Sequence, residues 1–278
     1  MNFRSMLFTP ATRLDRVEKA LDAAPDWVAI DLEDGVGLGD KDDARDALGA
    51  LAASGLGGNA ARIALRINTP ASTHGIKDVA ALLEWSNWPA LLILPKVEAA
   101  AQVRQLAGII RELGKDTRIM AVFETARGIA NANCIAESLQ NGANDVAVVG
   151  YGSADHMAEV GGEMTPPSLA SGRAAVLNAA AILGVPALDG VRMQLRDEEG
   201  LIADAMLGKE MGFAGKIAIH PAQVAPINKV FSPSGQEIAE AHALIEAAEQ
   251  AGGGAFSFQG KMVDPPLLAR ALRITQSE

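Results

Sequence analysis

The chain has 278 residues, of which 49% are apolar but only 4% aromatic, so a large core would be built mainly from aliphatic side chains. A formal net charge of −10 argues against a general nucleic-acid surface, which needs a basic stripe. The short apolar run at the N-terminus and the lack of an 18-residue apolar stretch argue against a signal peptide and a membrane span, so we expect a cytoplasmic protein.

Eight short apolar runs, each bounded by turn residues, predict β-strands. In chain order they cover residues 5–10, 27–34, 63–68, 91–97, 119–125, 145–151, 185–191 and 216–221. Ala-rich amphipathic stretches separate them and predict helices. Runs this apolar are typical of parallel strands that are covered on both faces. The strict alternation predicts an eight-stranded (β/α) barrel over residues 1–235, and a doubly wound open sheet is the alternative, although no glycine-rich turn follows the first run.

The chain beyond the eighth run has a different pattern. Residues 236–251 predict a helix, and the three glycines at 252–254 predict a flexible joint. Residues 255–278 are then expected to form an appended hairpin and helix. We therefore predict a C-terminal helical extension over residues 236–278 that serves as a lid.

Polar residues collect at the C-terminal ends of the predicted strands, where barrel enzymes place their chemistry. They are Asp31, Glu33, Asp34, Arg66, Asn68, Lys96, Glu124, Asp155, Asp189 and His220. Each one alone is explained by a strand that turns polar where it ends. The convergence of so many charged residues on one rim indicates an active site.

Two of these carboxylates, Glu124 and Asp155, end the neighbouring strands five and six. A charge at the end of a buried strand is costly unless something pairs with it. Hard oxygen ligands suit Mg²⁺, which keeps waters and substrate oxygens beside a few carboxylates, and Glu33 and Asp34 could hold those waters. The spacing leaves a second possibility open, a salt-bridged network of the carboxylates with Arg66, Lys96 and Arg127.

Three single residues each have two interpretations. Arg66 could grip a substrate carboxylate or pair with Glu33 or Glu124. His220 could contact a ligand or make a structural hydrogen bond to the backbone. Cys134, the only cysteine, excludes an intramolecular disulfide, and we expect it to be buried because no histidine partner for a catalytic thiol is evident nearby.

A predicted helix at residues 12–21 follows the first strand and carries three cations on related turns. They are Arg13, Arg16 and Lys19. These cations either form a solvated face or contact a phosphate-rich ligand that lies across the rim.

Nine segments together resemble the citrate lyase beta-subunit-like family of acyl-CoA lyases in the HpcH/HpaI aldolase superfamily, which includes malyl-CoA, citramalyl-CoA and citryl-CoA lyases. The segments occur in family order over almost the whole chain. They are RSMLFTPA (4–11), AIDLEDGV (29–36), LRIN (65–68), LPKVE (94–98), FETARGI (123–129), GSAD (152–155), LDGV (188–191), GKIAIHPAQV (215–224) and GAFSFQGKMVD (254–264). The chain departs from the family at Ala154, where many members have Glu, but Asp155 remains.

The resemblance implies roles for named residues. Glu124 and Asp155 would be the Mg²⁺ ligands, Arg66 the substrate-binding arginine, and Asp264 a catalytic aspartate on the lid. The residues expected to contact the acyl-CoA substrate are Arg66, Glu124, Arg13, Arg16, Lys19, Ile219 and His220. The family also suggests a homotrimer or a dimer of trimers, in which the lid of one subunit covers the barrel of a neighbour.

The reaction that the resemblance implies is the Mg²⁺-dependent cleavage of a 3-hydroxyacyl-CoA, of citramalyl-CoA or malyl-CoA type, to acetyl-CoA and an α-keto acid. The alternative is a citryl-thioester lyase beta subunit of a larger complex, with oxaloacetate as product. A catalytically silent assembly subunit, supported by Ala154 alone, and an aldolase that acts on free acids are further possibilities.

Overall fold

A closed barrel of eight parallel strands forms the body of the protein. The computed structural model describes residues 1–140, 145–251 and 254–275. The barrel strands follow chain order, and the eighth pairs with the first. They are β1 (Ser5–Pro10), β2 (Trp27–Asp31), β3 (Ile63–Arg66), β4 (Leu91–Leu94), β5 (Arg118–Phe123), β6 (Val146–Tyr151), β7 (Ala187–Asp189) and β8 (Gly215–Ala218). The predicted (β/α)8 barrel is confirmed, and the open sheet is wrong because the sheet closes on itself.

Helices occupy the connections between strands and cover the barrel. Those before β7 are α1 (Val17–Asp22), α2 (Lys41–Ala53), α3 (Thr73–Glu84), α4 (Ala100–Glu112), α5 (Ala126–Leu139), α6 (Ser153–Val160) and α7 (Pro166–Leu183). Those after β7 are α8 (Glu198–Met211), α9 (Val224–Phe231), α10 (Gly235–Ala251) and α11 (Pro265–Thr275). No helix among the described residues has both the length and the apolar character needed to cross a membrane.

The two faces of each strand supply two separate cores, because successive side chains of a strand point to opposite faces. Every barrel strand contributes to one apolar cluster, which fills the interior and includes Met6, Met120 and Leu188. The alternate positions, such as Leu7 and Ala121, join a larger cluster between the strands and the helices. The barrel is therefore packed through its centre, which leaves only its ends free to bind a ligand.

The strands end earlier than the apolar runs predicted. The run at 91–97 outlasts β4, which ends at Leu94, and the run at 27–34 outlasts β2, which ends at Asp31. Polar residues such as Glu33 and Lys96 thus lie in the loops at the C-terminal end of the barrel. Cys134 lies on α5 and is exposed, so the prediction that it is buried was wrong.

The C-terminal segment folds as the sequence predicted, with a hairpin followed by a helix. Strands β9 (Phe256–Phe258) and β10 (Lys261–Val263) pair antiparallel, and α11 follows them and packs against α10. Residues 252 and 253 of the predicted joint lie outside the described residues. The division of the chain at residue 236 and the lid function stay predictions.

Candidate active site

A cavity of about 400 Å³ opens among the C-terminal ends of the barrel strands. Its wall combines polar groups with an apolar lining. The predicted site residues on this wall are Asp34, Arg66, Glu124, Asp155 and Ile219. Apolar side chains on the same wall include Phe8, Val122, Val191, Met193 and Ile217. A concave, mostly apolar site with a few convergent polar groups is typical of small-molecule sites.

Glu124 follows β5 directly and is only 1% exposed. The backbone N–H of Lys96 donates to its Oε1 at 2.8 Å. Burial first, and then the nearby carboxylates Glu33 and Asp155, raise the pKa of Glu124 to about 8 against the opposing effect of Arg66. Among the described residues no cation lies within ion-pair distance of the Glu124 carboxylate. A bound cation would therefore relieve a charge that the protein itself neutralises only in part.

Asp155 lies in the first turn of α6 and faces the same cavity as Glu124. The negative charge of Asp155 also contributes to the raised pKa of Glu124, after burial and Glu33. Mg²⁺ is commonly held by one or two carboxylates together with waters and substrate oxygens, and these two residues fit that pattern. The described residues contain no group of three or more His, Cys, Asp or Glu arranged to hold a metal, so this candidate site rests on two ligands.

Arg66 ends β3 and is held by two carboxylates. Its Nε and Nη2 each lie 2.7 Å from an oxygen of Asp31, and its Nη1 lies 2.9 Å from Glu33 Oε2. Its guanidinium also lies 5.0 Å from the centre of the Phe8 ring. The pairing with Glu33 was one of the predicted alternatives, whereas the pairing with Asp31 was missed. Arg66 is thus rigidly placed, with further N–H groups able to meet an anion in the cavity.

Glu33 is buried, and both of its carboxylate oxygens contact cations. Its Oε1 contacts the Lys96 ammonium, opposite the contact of Oε2 with Arg66. Burial lowers the pKa of Lys96, but the contact with Glu33 outweighs burial and holds this pKa above its usual value. The salt-bridged network that the sequence left open therefore exists for Glu33, while Arg127 is exposed at the surface. The role of Glu33 and Asp34 in holding metal-bound water stays a prediction.

The two residues after β8 have different surroundings. Ile219 lies on the cavity wall, and its backbone N–H donates to Gln223 Oε1 at 2.9 Å. The exposed His220 accepts a hydrogen bond from the backbone N–H of Ala222 at 3.2 Å, which is the structural interaction that the sequence left open. Contact of either residue with an acyl-CoA substrate stays a prediction.

The three cations after β1 lie at the molecular surface. Arg13 pairs with Asp15 at 2.8 Å, and Arg16 and Lys19 are exposed. They follow the C-terminal end of β1, whose Phe8 and Pro10 lie on the cavity wall. The predicted contact with CoA phosphates is compatible with this position and stays a prediction.

Asp264 lies between β10 and α11, where its Oδ1 accepts a hydrogen bond from the backbone N–H of Leu267 at 3.2 Å. This geometry is that of a residue that caps a helix N-terminus. The cavity wall of the same barrel does not include Asp264 among its described residues. A catalytic role for Asp264 would therefore require either a movement of the C-terminal extension or a second subunit, and it stays a prediction.

Five of the ten polar residues predicted at the rim do not line the cavity, namely Glu33, Lys96 and His220, described above, and Asp189 and Asn68. Asp189 pairs at 2.8 Å with both Arg173 and Lys216. It points away from the interior because the preceding residue of β7, Leu188, occupies the inner face. Asn68 is buried and accepts a hydrogen bond from Lys41 at 2.8 Å. The expectation that both residues face the mouth was wrong, and they stabilise the layer behind it.

Ser153 was missed as a site residue. It lies on the cavity wall beside Asp155 and is buried, and its hydroxyl has no hydrogen-bond partner among the described residues. A buried hydroxyl without a partner is costly, so a bound substrate oxygen would relieve it. The GSAD segment at 152–155, which carries part of the family resemblance, was the available signal.

Comparisons with family models and with known proteins find similar sequences over almost the whole chain. The model of the HpcH/HpaI aldolase/citrate lyase family matches residues 4–221, and that of the C–C bond lyases of the TIM-barrel fold matches residues 173–274. A citrate lyase subunit beta-like protein of Deinococcus radiodurans is 38% identical over 99% of this chain and 97% of its own. A (3S)-malyl-CoA thioesterase of Cereibacter sphaeroides is 36% identical over 94% and 90%. The mitochondrial citramalyl-CoA lyase of Homo sapiens is 31% identical over 96% and 83%.

The fold also matches a solved structure closely. The CitE protein of Mycobacterium tuberculosis, in complex with magnesium, acetoacetate and coenzyme A, superposes with a TM-score of 0.80 at 32% identity. The match covers 98% of this chain and 97% of that one. The predictions of a carbon–carbon lyase and of Mg²⁺ as its cofactor are thus confirmed at the level of the family. The chain belongs to the HpcH/HpaI aldolase/citrate lyase family.

Proposed function

We propose that this protein is a Mg²⁺-dependent acyl-CoA lyase. Its substrate would be a 3-hydroxyacyl-CoA of citramalyl-CoA or malyl-CoA type, and its products acetyl-CoA and an α-keto acid. The observation that carries the proposal is the cavity whose wall brings together the buried Glu124, the half-buried Asp155 and Arg66. Relatives that act on malyl-CoA and citramalyl-CoA, and a neighbour that binds coenzyme A with magnesium, support this substrate class.

Different residues of the cavity would perform different parts of the reaction. Glu124 and Asp155 would hold Mg²⁺, which when bound supplies Lewis-acid stabilisation of negative charge on oxygen. Arg66, already oriented by Asp31, offers its remaining N–H groups to the carboxylate or the developing carbonyl oxygen of the keto acid. The apolar wall around Val122 keeps water from the reacting carbons.

Bond cleavage needs one proton lost and one gained. The hydroxyl proton passes to water at the open end of the cavity as the carbon–carbon bond breaks. The hydroxyl oxygen becomes the keto oxygen, and the electron pair of the broken bond passes to the acetyl-CoA enolate. Asp264, in its protonated form, would then donate its proton to the acetyl carbon, which gives acetyl-CoA, and would regain a proton from water. Such acid–base steps contribute about 10²–10⁴-fold to turnover.

We propose that Asp264 reaches this cavity from a neighbouring subunit of a homotrimer or a dimer of trimers. Apolar side chains are exposed on the C-terminal extension, where Met262 is 73% exposed, and in the loops after β2 and β7, where Leu38 is 76% and Met193 53% exposed. An assembly in which the exposed apolar side chains of the C-terminal extension cover those of the two loops would remove both sets from water. The three cations Arg13, Arg16 and Lys19 would bind the CoA phosphates, and we propose a cytoplasmic location.

An assay with purified protein tests the proposed function. Citramalyl-CoA, malyl-CoA and citryl-CoA are each incubated with the protein and Mg²⁺, and the products are separated by chromatography. We expect acetyl-CoA and one keto acid in equal amounts from one of the first two. Free CoA with an intact hydroxy acid would indicate a thioesterase, cleavage of citryl-CoA alone would indicate a citrate lyase beta subunit, and no turnover would indicate an assembly subunit.

A further inference from the structure

Lys96 contacts Glu124 through its backbone, and Glu33 and Asp34 through its side chain. It follows β4 with a φ of 52°, in the left-handed region that residues with a side chain seldom adopt. This turn allows its backbone N–H to donate to Glu124 Oε1 at 2.8 Å, while Gln102 Nε2 donates to its carbonyl at 3.2 Å. Unusual backbone conformations that persist beside a site point to a functional demand.

The side chain of Lys96 leads from this turn to the other carboxylates. Its ammonium contacts Glu33 Oε1 and lies 3.4 Å from Asp34 Oδ2. Since Arg66 Nη1 lies 2.9 Å from Glu33 Oε2, Glu33 has no oxygen left without a cation. Asp34 is different, because its side chain is 54% exposed, lies on the cavity wall and is restrained by the longer contact to Lys96.

The number of carboxylates near the cavity determines how many protein ligands a bound divalent cation could take. Three carboxylates, Asp34, Glu124 and Asp155, lie on the cavity wall, and Glu33 adjoins it through its contacts with Arg66 and Lys96. All four are oxygen ligands of the kind that Mg²⁺ takes. An ion that bound all four would have few positions left for a substrate. The contacts of Lys96 instead engage two of the four in ion pairs.

We propose that Lys96 is a positioning residue that keeps Glu33 and Asp34 away from the metal, so that the open positions of the ion remain available to the keto-acid oxygens. The inference rests on the proposed function, because it requires Mg²⁺ at Glu124 and Asp155. It predicts that loss of the Lys96 ammonium strengthens metal binding and weakens substrate binding. A structural ion pair would shift both in the same direction or neither.

Calorimetric titrations of the full chain at pH 8 test this inference. Mg²⁺ is titrated first into metal-stripped protein, and pyruvate or oxaloacetate is then titrated at saturating Mg²⁺. For Lys96→Met we expect the Kd of Mg²⁺ to fall about tenfold and the Kd of the keto acid to rise about tenfold. Lys96→Arg, which keeps the charge, should bind both ligands like the wild type.

Two further variants separate the charge of Lys96 from its packing. Glu33→Gln leaves the Lys96 ammonium uncompensated and should raise the Kd of Mg²⁺, so it tests the inference even if Lys96→Met does not fold. The double variant of Glu33→Gln with Lys96→Met should return this Kd to near the wild-type value. Lys77→Met is the matched control, because Lys77 pairs with Asp42 at the surface and its loss should change neither constant.

The outcomes distinguish this inference from the proposed function. If the wild type does not bind Mg²⁺, or if Glu124→Gln binds it equally well, the metal site is wrong and the inference falls with it. If the wild type binds Mg²⁺ through Glu124 but Lys96→Met weakens both ligands together, or changes neither Kd, the inference alone is overturned.

Discussion

Gly152, which precedes α6, leaves room for the carboxylate that we assign to the metal. A Cβ built at Gly152 would lie 2.3 Å from both the Cβ and the Oε2 of Glu124. The φ of Gly152 is −83°, which any residue can adopt, so alanine would change the available space and not the backbone conformation. Gly152→Ala is therefore a steric test of the position of Glu124.

The structure sets the size of the expected effect. Cβ contacts below 3.0 Å are essentially never observed, so Glu124 or the turn must move by at least 0.7 Å, from 2.3 to 3.0 Å. Overpacking of this kind costs about 1–3 kcal/mol of unfolding free energy. Loss of a group that orients a metal ligand typically weakens metal binding about 10–100-fold, and we expect a rise of that size in the Kd of Mg²⁺ when Glu124 is displaced.

Calorimetry with Mg²⁺ and urea unfolding measure these two effects. Gly108→Ala is the matched control, because Gly108 lies within α4 and a Cβ added there would meet nothing within 4 Å beyond the backbone of its own helix. That control should keep the Kd and gain about 0.5–1 kcal/mol of stability. A Gly152→Ala protein that binds Mg²⁺ and turns over like the wild type would refute the assigned position of Glu124.

Three further predictions concern other parts of the molecule. Arg66→Lys keeps the charge but loses the planar fork, so steady-state kinetics should show turnover lowered about 10²-fold, and unchanged kinetics would make Arg66 a purely structural residue. Asp264→Asn should lower turnover about 10²–10⁴-fold while urea unfolding shows little change, since Asn caps helices as well as Asp. Mixing it with Glu124→Gln subunits should restore partial activity, unless the lid acts only within its own chain. Arg173→Met strips one cation from two buried ion pairs and should cost about 3–5 kcal/mol in urea unfolding, and a change below about 1 kcal/mol would contradict that reasoning.

The barrel was predictable because its strands are short, apolar and regularly spaced. The first run, residues 5–10, coincides with β1. The ends of other strands were not predictable to the residue, because hydrophobicity continues past the point where the backbone turns. At the end of β4 the apolar run includes Val97, yet the chain has already turned at Lys96 with a φ of 52°.

The shared cavity of Glu124, Asp155 and Arg66 was predictable because the C-terminal ends of parallel strands meet at one end of a barrel. The pairing of Arg66 with Asp31 was not, because it depends on register, and Asp31 lies directly opposite Arg66 across β2 and β3. The outward direction of Asp189 depends in the same way on which face of β7 each residue occupies. A single sequence only weakly indicates the register between two strands and the face of the sheet to which each strand residue points.

The burial of single residues was the least predictable feature. On α5 the buried positions include Ala132, Ile135 and Ala136, whereas Cys134 lies on the opposite side of the helix and is exposed. Composition alone favours a buried cysteine, but the rotation of a helix against its barrel decides which side faces the core.

A Mg²⁺ titration of turnover in wild-type and Glu124→Gln proteins most directly tests whether Glu124 holds the ion at which the carbon–carbon bond breaks. Both proteins are stripped with a chelator, and acetyl-CoA formed from citramalyl-CoA or malyl-CoA is followed as Mg²⁺ is returned. We expect the stripped wild type to be inactive and to recover as Mg²⁺ is added, while Glu124→Gln stays inactive with an unchanged circular dichroism spectrum. Full activity of the stripped wild type, or recovery of Glu124→Gln at the same Mg²⁺ concentration, would contradict this assignment.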